Sequence, residues 1–432
     1  MIEKISKVLA AISLFCTLSA WQGASAAEEN HPYRPATTAS ADDFSMRPAD
    51  AAKVLKSVDD LVRNNFYNAS LAKTAWTQAL EQNRSSILSS TTLSQLAERI
   101  NKALGALGSS HTEFVTTNDD LYYFLHSLFH GVNKLDNPKM DFTGVITGGV
   151  KKRDNQVRYV LEDSPGAKAG IRRNDIIETV DGQPYEGQRN FWHKAGKKVS
   201  LAINRDGEQL TVTLTPTLDY DYEGYVKAIG KSAKVEGTPE GKVGYLHYWA
   251  GGAKAHDAFE EAMSKSLTHT DGLILDFRDG YGANSSDDLE ILEHKRATYP
   301  IFTTIDRSGK KNISQDFYDK PVVAIINGGV RSGRELLSFG LKRSKRATLV
   351  GERAGMVLAG RLFPIDNRCS LYLAVLDILL DGERLEGVGV PPDVEVVQDA
   401  LSTGSDIQLE KARAILADEM RANAKNNQDE DK

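Results

Sequence analysis

The spacing of apolar and polar residues changes twice along the chain, and each spacing predicts a different kind of structure. From Pro48 to Leu107 apolar side chains recur every three or four residues, as at Val54 and Val58, which predicts amphipathic helices. Between residues 144 and 217 short apolar runs alternate with glycine-containing turns, which is typical of β structure. From Lys242 strand-like runs alternate with helical stretches, which predicts an α/β core around a buried sheet.

One stretch of this core combines a buried strand, a turn and the start of a helix. The apolar run Val322–Ile326 predicts the strand, and Gly328 and Gly329 interrupt it. Ser332 then precedes a run of helix-favouring residues. A serine at such a turn can expose its hydroxyl beside the free N–H groups of the helix start, which can stabilise an oxyanion.

The same serine also fits a purely structural interpretation. Ser332 and Glu335 form the pattern S-x-x-E, a capping box that does no more than begin a helix. Because capping boxes are common, this stretch on its own favours the structural interpretation over a nucleophile.

Composition indicates a soluble globular protein of two or three domains. The chain has 432 residues, of which 41% are hydrophobic and 26% charged, and its net charge of −6 gives no reason to expect a nucleic-acid partner. Two cysteines are present, Cys16 in the apolar N-terminal segment and Cys369, so no internal disulfide is expected after processing. The histidines lack metal-ligand spacing, and we expect neither a metal nor a cofactor.

The N-terminus has the features of a secretory signal peptide. Lys4 and Lys7 precede an apolar run from Val8 to Ala20, and Ala24-Ser25-Ala26 forms a small-residue cleavage site. We therefore expect cleavage after Ala26 and export to the periplasm or the medium. No later stretch is long and apolar enough to predict a membrane span.

Residues Asp163–Ile177, followed by Val180-Asp181-Gly182, resemble a PDZ domain of the bacterial type. The match is long and specific. What it implies is a groove that binds an extended peptide by strand addition, usually at a C-terminus.

Four stretches in a fixed order resemble the C-terminal processing and tricorn-type serine peptidases. The stretches are Ser110–Thr112, Asp276–Ala283, the turn at Ser332 and Glu386–Asp393. With the inserted PDZ domain, the resemblance runs from near Val54 to the C-terminal helix. It implies a multidomain protein with an N-terminal helical domain, a mostly β PDZ domain and an α/β core of the crotonase-like type.

The resemblance assigns the nucleophile to Ser332 and leaves two candidate bases. One branch of the family uses a lysine after a Gly-Glu pair, here Gly351-Glu352, but residues 353–362 contain no lysine. Arginine cannot substitute, since it does not lose its proton in proteins. The other branch uses an adjacent Ser-His pair and a glutamate near a C-terminal Gly-Val-x-Pro-Asp segment, which Ser110-His111 and Glu386 match.

In that branch His111 would be the general base, and Ser110 and Glu386 would orient its ring, as an aspartate does in a Ser-His-Asp triad. Backbone N–H groups of Gly333 and Gly282 would form the oxyanion hole. Asp276 and Arg278 also match the family pattern and are expected to form a structural ion pair.

The chain departs from the family pattern at several of these positions. Ser109 stands where an aspartate is usual, Gly280 where an asparagine is usual, and Ala283 where a second glycine is usual. Arg331 and Arg334 replace small residues beside the nucleophile. The two arginines are compatible with an acidic or C-terminal carboxylate in the substrate, or with solvated side chains.

We therefore predict a secreted or periplasmic serine endopeptidase that cuts unfolded or C-terminally exposed polypeptides delivered by its PDZ domain. The alternative is a peptidase-fold protein with little or no hydrolysis that acts as a PDZ peptide-binding module. The predicted division is a signal peptide (1–26), a linker (27–44), a helical segment ending in the Ser-His pair (45–118), a connecting segment (119–143), the PDZ domain (144–217), a second linker (218–240), the α/β peptidase core (241–398), and a C-terminal helix with a tail that is disordered from Asn423 (399–432).

Overall fold

A computed structural model gives the fold of the chain. The structure describes residues 44–148, 154–283, 287–292, 301–305, 307–315, 317–355, 358–398 and 405–430. The predicted signal peptide and nearly all of the first linker lie outside these residues. In the part of the chain that is described, no helix is long and apolar enough to cross a membrane.

Eleven α-helices lie in the described residues. They are α1 Pro48–Asn65, α2 Ala69–Lys73, α3 Ala75–Leu88, α4 Leu93–Leu104, α5 Asp120–Asn133, α6 Pro165–Lys168, α7 Asp221–Ser232, α8 Ala253–Ala262, α9 Asp287–Ile291, α10 Gly333–Arg343 and α11 Ile407–Glu430. Short 3₁₀ turns span Gly105–Leu107 and Gly187–Phe191, and a π-helical turn, Met263–Leu267, follows α8.

The strands of the same residues are short, and most lie in the PDZ domain and the core. They are β1 Glu113–Thr116, β2 Met140–Phe142, β3 Val145–Thr147, β4 Val157–Val160, β5 Ile176–Val180, β6 Gln183–Pro184, β7 Val199–Arg205, β8 Glu208–Leu214, β9 Thr217–Asp219, β10 Lys234–Thr238, β11 Gly241–His247, β12 Ala250–Gly251, β13 Gly272–Asp276, β14 Tyr281–Gly282, β15 Ile301–Ile305, β16 Lys311–Gln315, β17 Val322–Ile326, β18 Thr348–Gly351, β19 Ala359–Pro364, β20 Cys369–Leu376, β21 Leu379–Leu380, β22 Glu383–Arg384 and β23 Val394–Glu395.

A six-stranded sheet in the order β10-β11-β13-β17-β18-β23 forms the centre of the core. All its pairings are parallel except that of β10, which is antiparallel at one edge. Every residue of β17 is buried, because helices cover both faces: Ala324 packs in the main core, and Val323 packs with Leu416 of α11. A strand covered on both faces is apolar throughout, as the sequence of β17 predicts.

The N-terminal helices are completed by strands from the far end of the chain. β1, β20 and β19 form an antiparallel three-stranded sheet, and one hydrophobic cluster joins Trp76 and Ile100 of the helices to Phe114 of β1 and Leu371 of β20. The sheet holds the segment just before β1, which carries Ser110 and His111, against the C-terminal half of the chain.

The PDZ region has its own hydrophobic core. Strands β6-β5-β7-β8 form a four-stranded antiparallel sheet, and β3 and β4 pair beside it. Val157, Ile177 and Leu201 are among its buried residues. The predicted fold class, with a helical N-terminal region, a PDZ domain and an α/β core, is thus confirmed.

Three segments differ from the prediction. Residues 218–240, predicted as a linker, contain α7 and β10, and α7 buries Tyr222 and Ile229 in the main core. In the predicted connecting segment 119–143, the apolar spacing of Leu121–Phe129 suits a helix and α5 forms there, but this helix packs into the same core instead of only connecting two domains. Its apolar face needs a partner distant in the sequence, so its spacing alone does not reveal that it is part of the core.

The C-terminal helix is the third difference. Disorder was predicted from Asn423, but α11 continues to Glu430. The added residues contain no glycine or proline, and Ala424, Lys425 and Gln428 favour helices, so a helix that is already nucleated extends through them.

Candidate active site

Ser332 lies at a strained turn between β17 and α10. Its φ of +56° and ψ of −124° are unusual for a residue other than glycine, and such a conformation costs about 1–3 kcal/mol. The turn is held by Asn327, whose side-chain oxygen accepts hydrogen bonds from the backbone N–H groups of Gly329 and Asp279, each at 3.0 Å. Strain of this kind is concentrated at functional sites, where the surrounding structure maintains it.

The capping-box interpretation of Ser332 is wrong in one respect. The Ser332 carbonyl accepts hydrogen bonds from the N–H groups of Glu335 and Leu336, but its hydroxyl makes no capping hydrogen bond. A capping serine also has extended φ and ψ angles, which Ser332 lacks. The half-buried hydroxyl is therefore not used to start the helix.

Ser110, His111 and Glu386 form a continuous hydrogen-bonded relay. The Glu386 carboxylate accepts from the Ser110 backbone N–H at Oε1 and from the Ser110 hydroxyl at Oε2, both at 2.8 Å. Ser110 Oγ in turn lies 2.7 Å from His111 Nδ1. Two residues adjacent in sequence are thus joined to a glutamate 276 positions away.

This relay fixes the tautomer of His111. The Ser110 hydroxyl has one proton, and the carboxylate takes it, because an ionised carboxylate can only accept hydrogen bonds. Ser110 Oγ must then accept from His111, which places the ring proton on Nδ1. The lone pair on Nε2 remains free, as a general base requires.

His111 is buried and neutral. Burial, and secondarily the positive charge of Arg331, lower the pKa of His111 to about 3. Its ring centroid lies 5.7 Å from that of Tyr372 and 6.4 Å from that of Tyr281. Within the described ranges Nε2 has no hydrogen-bond partner, so the structure does not join His111 to the Ser332 hydroxyl.

Arg331 connects the serine turn to the relay. Its Nη2 donates to the Ser110 carbonyl at 2.7 Å, and its guanidinium lies 4.8 Å from the centre of the Tyr281 ring. Its backbone N–H donates to the Gly280 carbonyl at 3.0 Å. Arg331 therefore contacts the base segment and the predicted oxyanion segment from the position next to Ser332.

The two glycines predicted for the oxyanion hole occupy different environments. Gly333 is buried at the start of α10, directly after Ser332. Gly282 lies in β14, which pairs with β12, and has a φ of +132°. A Cβ atom at Gly282 would lie only 2.8 Å from the backbone nitrogen of Gly251, so this position requires glycine.

Arg334 is neither solvated nor available to a substrate. It is completely buried, its Nη2 lies 2.7 Å from Asp288 Oδ2, and its guanidinium stacks 3.9 Å from the centre of the Tyr248 ring. Asp288 Oδ1 also accepts from the Tyr248 hydroxyl at 2.8 Å and lies 2.7 Å from His256 Nδ1. This network was missed by the sequence analysis, because its members are far apart in the chain and match no pattern.

Gly280 lies against Arg334 and against the backbone, with no room for a side chain. A Cβ atom there would lie 3.0 Å from Arg334 Cγ and 2.9 Å from the Phe277 carbonyl oxygen. The family has asparagine at the position of Gly280 and a small residue at the position of Arg334. The two departures are neighbours in space, because a side chain at position 280 would meet Arg334.

The predicted ion pair of Asp276 and Arg278 is confirmed. The two side chains are buried and 2.5 Å apart, and Arg278 also binds Asp406 at 2.7 Å. Although burial opposes it, the positive charge of Arg278 holds the pKa of Asp276 well below its usual range. The pair fastens the end of β13 to the segment before α11, a structural role.

The PDZ region also touches this part of the core. Arg158 of β4 donates from Nε to Asp279 Oδ1 at 2.9 Å. Glu162 accepts from the indole N–H of Trp249 at 2.6 Å. Asp279 lies next to Gly280, so the PDZ region is linked to the loop that leads to Gly282.

Comparisons with known proteins agree with this architecture. Residues 242–396 match the model of peptidase family S41, and residues 156–190 match that of a PDZ domain. The carboxy-terminal-processing protease of Bartonella bacilliformis is 26% identical over 322 residues, which cover 69% of this chain and 70% of that protein. The carboxyl-terminal-processing protease of Synechocystis sp. is 24% identical over 306 residues, covering 65% and 70%.

Among solved structures, that of the tricorn protease is similar with a TM-score of 0.51 at 21% identity. The match covers 86% of this chain but only 37% of the tricorn chain, and it supports the fold. The predicted family resemblance is thus confirmed, and the family match and the relatives support serine-type peptidase activity.

Proposed function

We propose that this chain, whose core is a peptidase family S41 domain, is a Ser-His endopeptidase that cuts unfolded or C-terminally exposed polypeptides. Ser332 is the nucleophile, and His111 is the general base. Ser110 and Glu386 orient His111, and the N–H groups of Gly333 and Gly282 stabilise the oxyanion.

The observation that carries this proposal is the relay from Glu386 through Ser110 to His111 Nδ1. It leaves Nε2 as a proton acceptor, and Arg331, the residue before the strained Ser332, is hydrogen-bonded to the Ser110 carbonyl at 2.7 Å. A satisfied loop histidine has no need of a buried carboxylate behind it, whereas a general base does.

In the reaction, the Ser332 hydroxyl gives its proton to His111 Nε2 as Oγ attacks the carbonyl carbon of the scissile bond. The negative charge on the carbonyl oxygen is stabilised by the backbone N–H groups. His111 then donates the proton to the leaving amine, and a water molecule hydrolyses the acyl-enzyme by the reverse sequence of transfers. Protonating a histidine of such low pKa is costly, and Glu386, hydrogen-bonded to Ser110 behind the ring, takes the place of the aspartate that stabilises the imidazolium in a Ser-His-Asp triad.

Recruitment and location belong to the same proposal. The PDZ domain would bind an extended peptide, usually a C-terminus, and present it to the core. The N-terminal segment would direct export to the periplasm or the medium. Polypeptides are the partners proposed, without nucleic acid.

The test is a cleavage assay on residues 27–432 with several unfolded proteins that differ at their C-termini. We expect cleavage by the wild type and none by Ser332→Ala or His111→Ala, with all three proteins folded by circular dichroism. Full cleavage by Ser332→Ala would exclude Ser332 as the nucleophile.

A peptide-binding protein with little hydrolysis is the second candidate. It is favoured by one observation: within the described residues the Ser332 hydroxyl makes no hydrogen bond with His111. Catalytic hydrogen bonds are often long in substrate-free enzymes, so this gap does not by itself argue against turnover. Binding of C-terminal peptides without cleavage of any substrate would support the second candidate.

A further inference from the structure

Arg331 differs from the other arginines around the site in having no acidic partner. Arg334 pairs with Asp288, Arg278 with Asp276, and Arg158 with Asp279. Arg331 forms no salt bridge in the described part of the chain, and its Nε is buried there without a hydrogen-bond partner. A guanidinium has five N–H donors, and the Ser110 carbonyl occupies one of them.

The acidic groups near Arg331 do not supply that partner. Glu386 is occupied by Ser110 through both of its oxygens. Glu113 is close enough for an electrostatic effect, since Arg331 acts to lower the pKa of Glu113 against a larger increase caused by burial. No salt bridge joins Glu113 to Arg331 among the residues that the structure describes.

The arginine is nevertheless held in a defined position. Its side chain is half-buried, stacked on Tyr281 and hydrogen-bonded to the Ser110 carbonyl. A fixed guanidinium with free donors is well suited to binding a carboxylate, because its N–H groups can form paired, charge-assisted hydrogen bonds. Its position beside Ser332 places such a carboxylate close to the scissile bond.

We propose that Arg331 binds a carboxylate of the substrate beside the bond that is cut. This inference rests on the proposed function and specifies its substrate class: polypeptides cut near an acidic side chain or near their own C-terminal carboxylate. Arg331 is then a specificity-determining residue, and its charge is not taken up by a salt bridge in the described part of the chain.

Binding of the carboxylate would also help the base. The groups around His111 are Arg331, Glu386 through Ser110, and the rings of Tyr281 and Tyr372. Arg331 opposes protonation of His111, and a bound carboxylate would offset that positive charge. An acidic substrate should therefore be favoured in kcat as well as in KM.

The experiment uses four quenched fluorescent peptides that share one core sequence. Two differ in carrying a glutamate or a glutamine beside the cut, and two differ in having a free or an amidated C-terminus near it. They are tested with the wild type, Arg331→Gln, Arg331→Glu and Arg331→Lys. The measured quantity is the ratio of kcat/KM for the acidic peptide to that for its neutral partner within one variant, which cancels any general damage to the site.

We expect a ratio of about 10 to 100 for the wild type in one of the two pairs, since a hydrogen bond to a charged group has effects of that order. The ratio should fall towards 1 in Arg331→Gln, invert in Arg331→Glu and be partly kept in Arg331→Lys. The pair that shows the effect identifies the source of the carboxylate. A wild-type ratio near 1 in both pairs, or an unchanged ratio in Arg331→Gln, would overturn the inference.

Failure of the proposed function gives a different result. If the wild type cuts no peptide, binding of the four peptides is measured by fluorescence anisotropy in Ser332→Ala and in Ser332→Ala/Arg331→Gln. An acidic preference that disappears in the double variant supports the carboxylate site without hydrolysis. The carboxylate site is excluded if no acidic preference is found. It is also excluded if the preference persists without Arg331, as expected for peptides bound in the PDZ groove.

Discussion

Replacing Glu386 by glutamine should switch the tautomer of His111 and so remove the base. The Ser110 backbone N–H, which bonds to Glu386 Oε1 at 2.8 Å, can only donate, so the glutamine oxygen must face it. The glutamine NH₂ group then faces Ser110 Oγ and donates to it. The Ser110 hydroxyl must turn its proton towards His111 Nδ1, and the ring proton moves to Nε2.

A histidine protonated at Nε2 cannot accept the proton of Ser332. The equivalent loss of the correct tautomer in a Ser-His-Asp triad lowers kcat by about 10⁴, or roughly 5 kcal/mol of transition-state stabilisation. We expect a decrease of that order in kcat for Glu386→Gln, with little change in KM, because Glu386 does not contact the substrate in the proposed mechanism.

The assay combines steady-state kinetics with ¹⁵N NMR of the imidazole, which distinguishes the two tautomers. Glu383→Gln is the matched control, since Glu383 lies in the exposed hairpin strand β22 just before the relay glutamate. It should keep wild-type kcat. The reasoning is refuted if Glu386→Gln stays within about tenfold of wild-type kcat, or if its His111 still carries the proton on Nδ1.

Three further predictions concern stability. Arg334→Met leaves buried Asp288 without its ion partner and should lower the free energy of unfolding in urea by about 3–5 kcal/mol. The double variant Arg334→Met/Asp288→Asn should recover part of that loss. If the single and the double variant lose the same stability, the ion pair does not explain the effect. Gly280→Ala should cost about 1–3 kcal/mol through overpacking, whereas Gly230→Ala, on an exposed helical position with open space around it, should not destabilise the protein. The pKa of His111 is about 3 in the folded protein against 6.5 in the unfolded chain, so the unfolded chain binds more protons between these values and the protein loses stability as the pH is lowered through that window. Between pH 8 and 5 this should account for about 2 kcal/mol, and a wild type and His111→Gln with the same pH dependence of unfolding would contradict it.

The parts of the fold that the sequence predicted are those encoded by local patterns. β17 could be predicted with its boundaries, because five consecutive apolar residues between turn signals have few alternatives. The N-terminal sheet could not, since it joins β1 to strands more than 240 positions away and no local pattern indicates which strands pair.

The same distinction applies to the candidate site. Ser110, His111 and Glu386 were identified through a family resemblance, because no spacing in the sequence connects a glutamate to a histidine so distant from it. The structure brings these three together through hydrogen bonds. It leaves Ser332 without a hydrogen bond to His111 in the described residues, which the resemblance did not predict.

The departures from the family pattern acquire a different meaning once their surroundings are known. In the sequence, Gly280 and Arg334 look like two independent losses at a catalytic segment. In the fold, Arg334 and the backbone carbonyl of Phe277 take up the space that a side chain at Gly280 would need, and the charge of Arg334 is neutralised by Asp288. A side chain at Gly280 would meet Arg334 and the Phe277 carbonyl, and removal of Arg334 would leave the buried Asp288 without its ion partner. Departures of this kind are therefore evidence of a site that has been rebuilt. Arg334 is neutralised by Asp288, whereas Arg331 has no acidic partner in the described residues. Arg331 is therefore the arginine to which we assign a ligand.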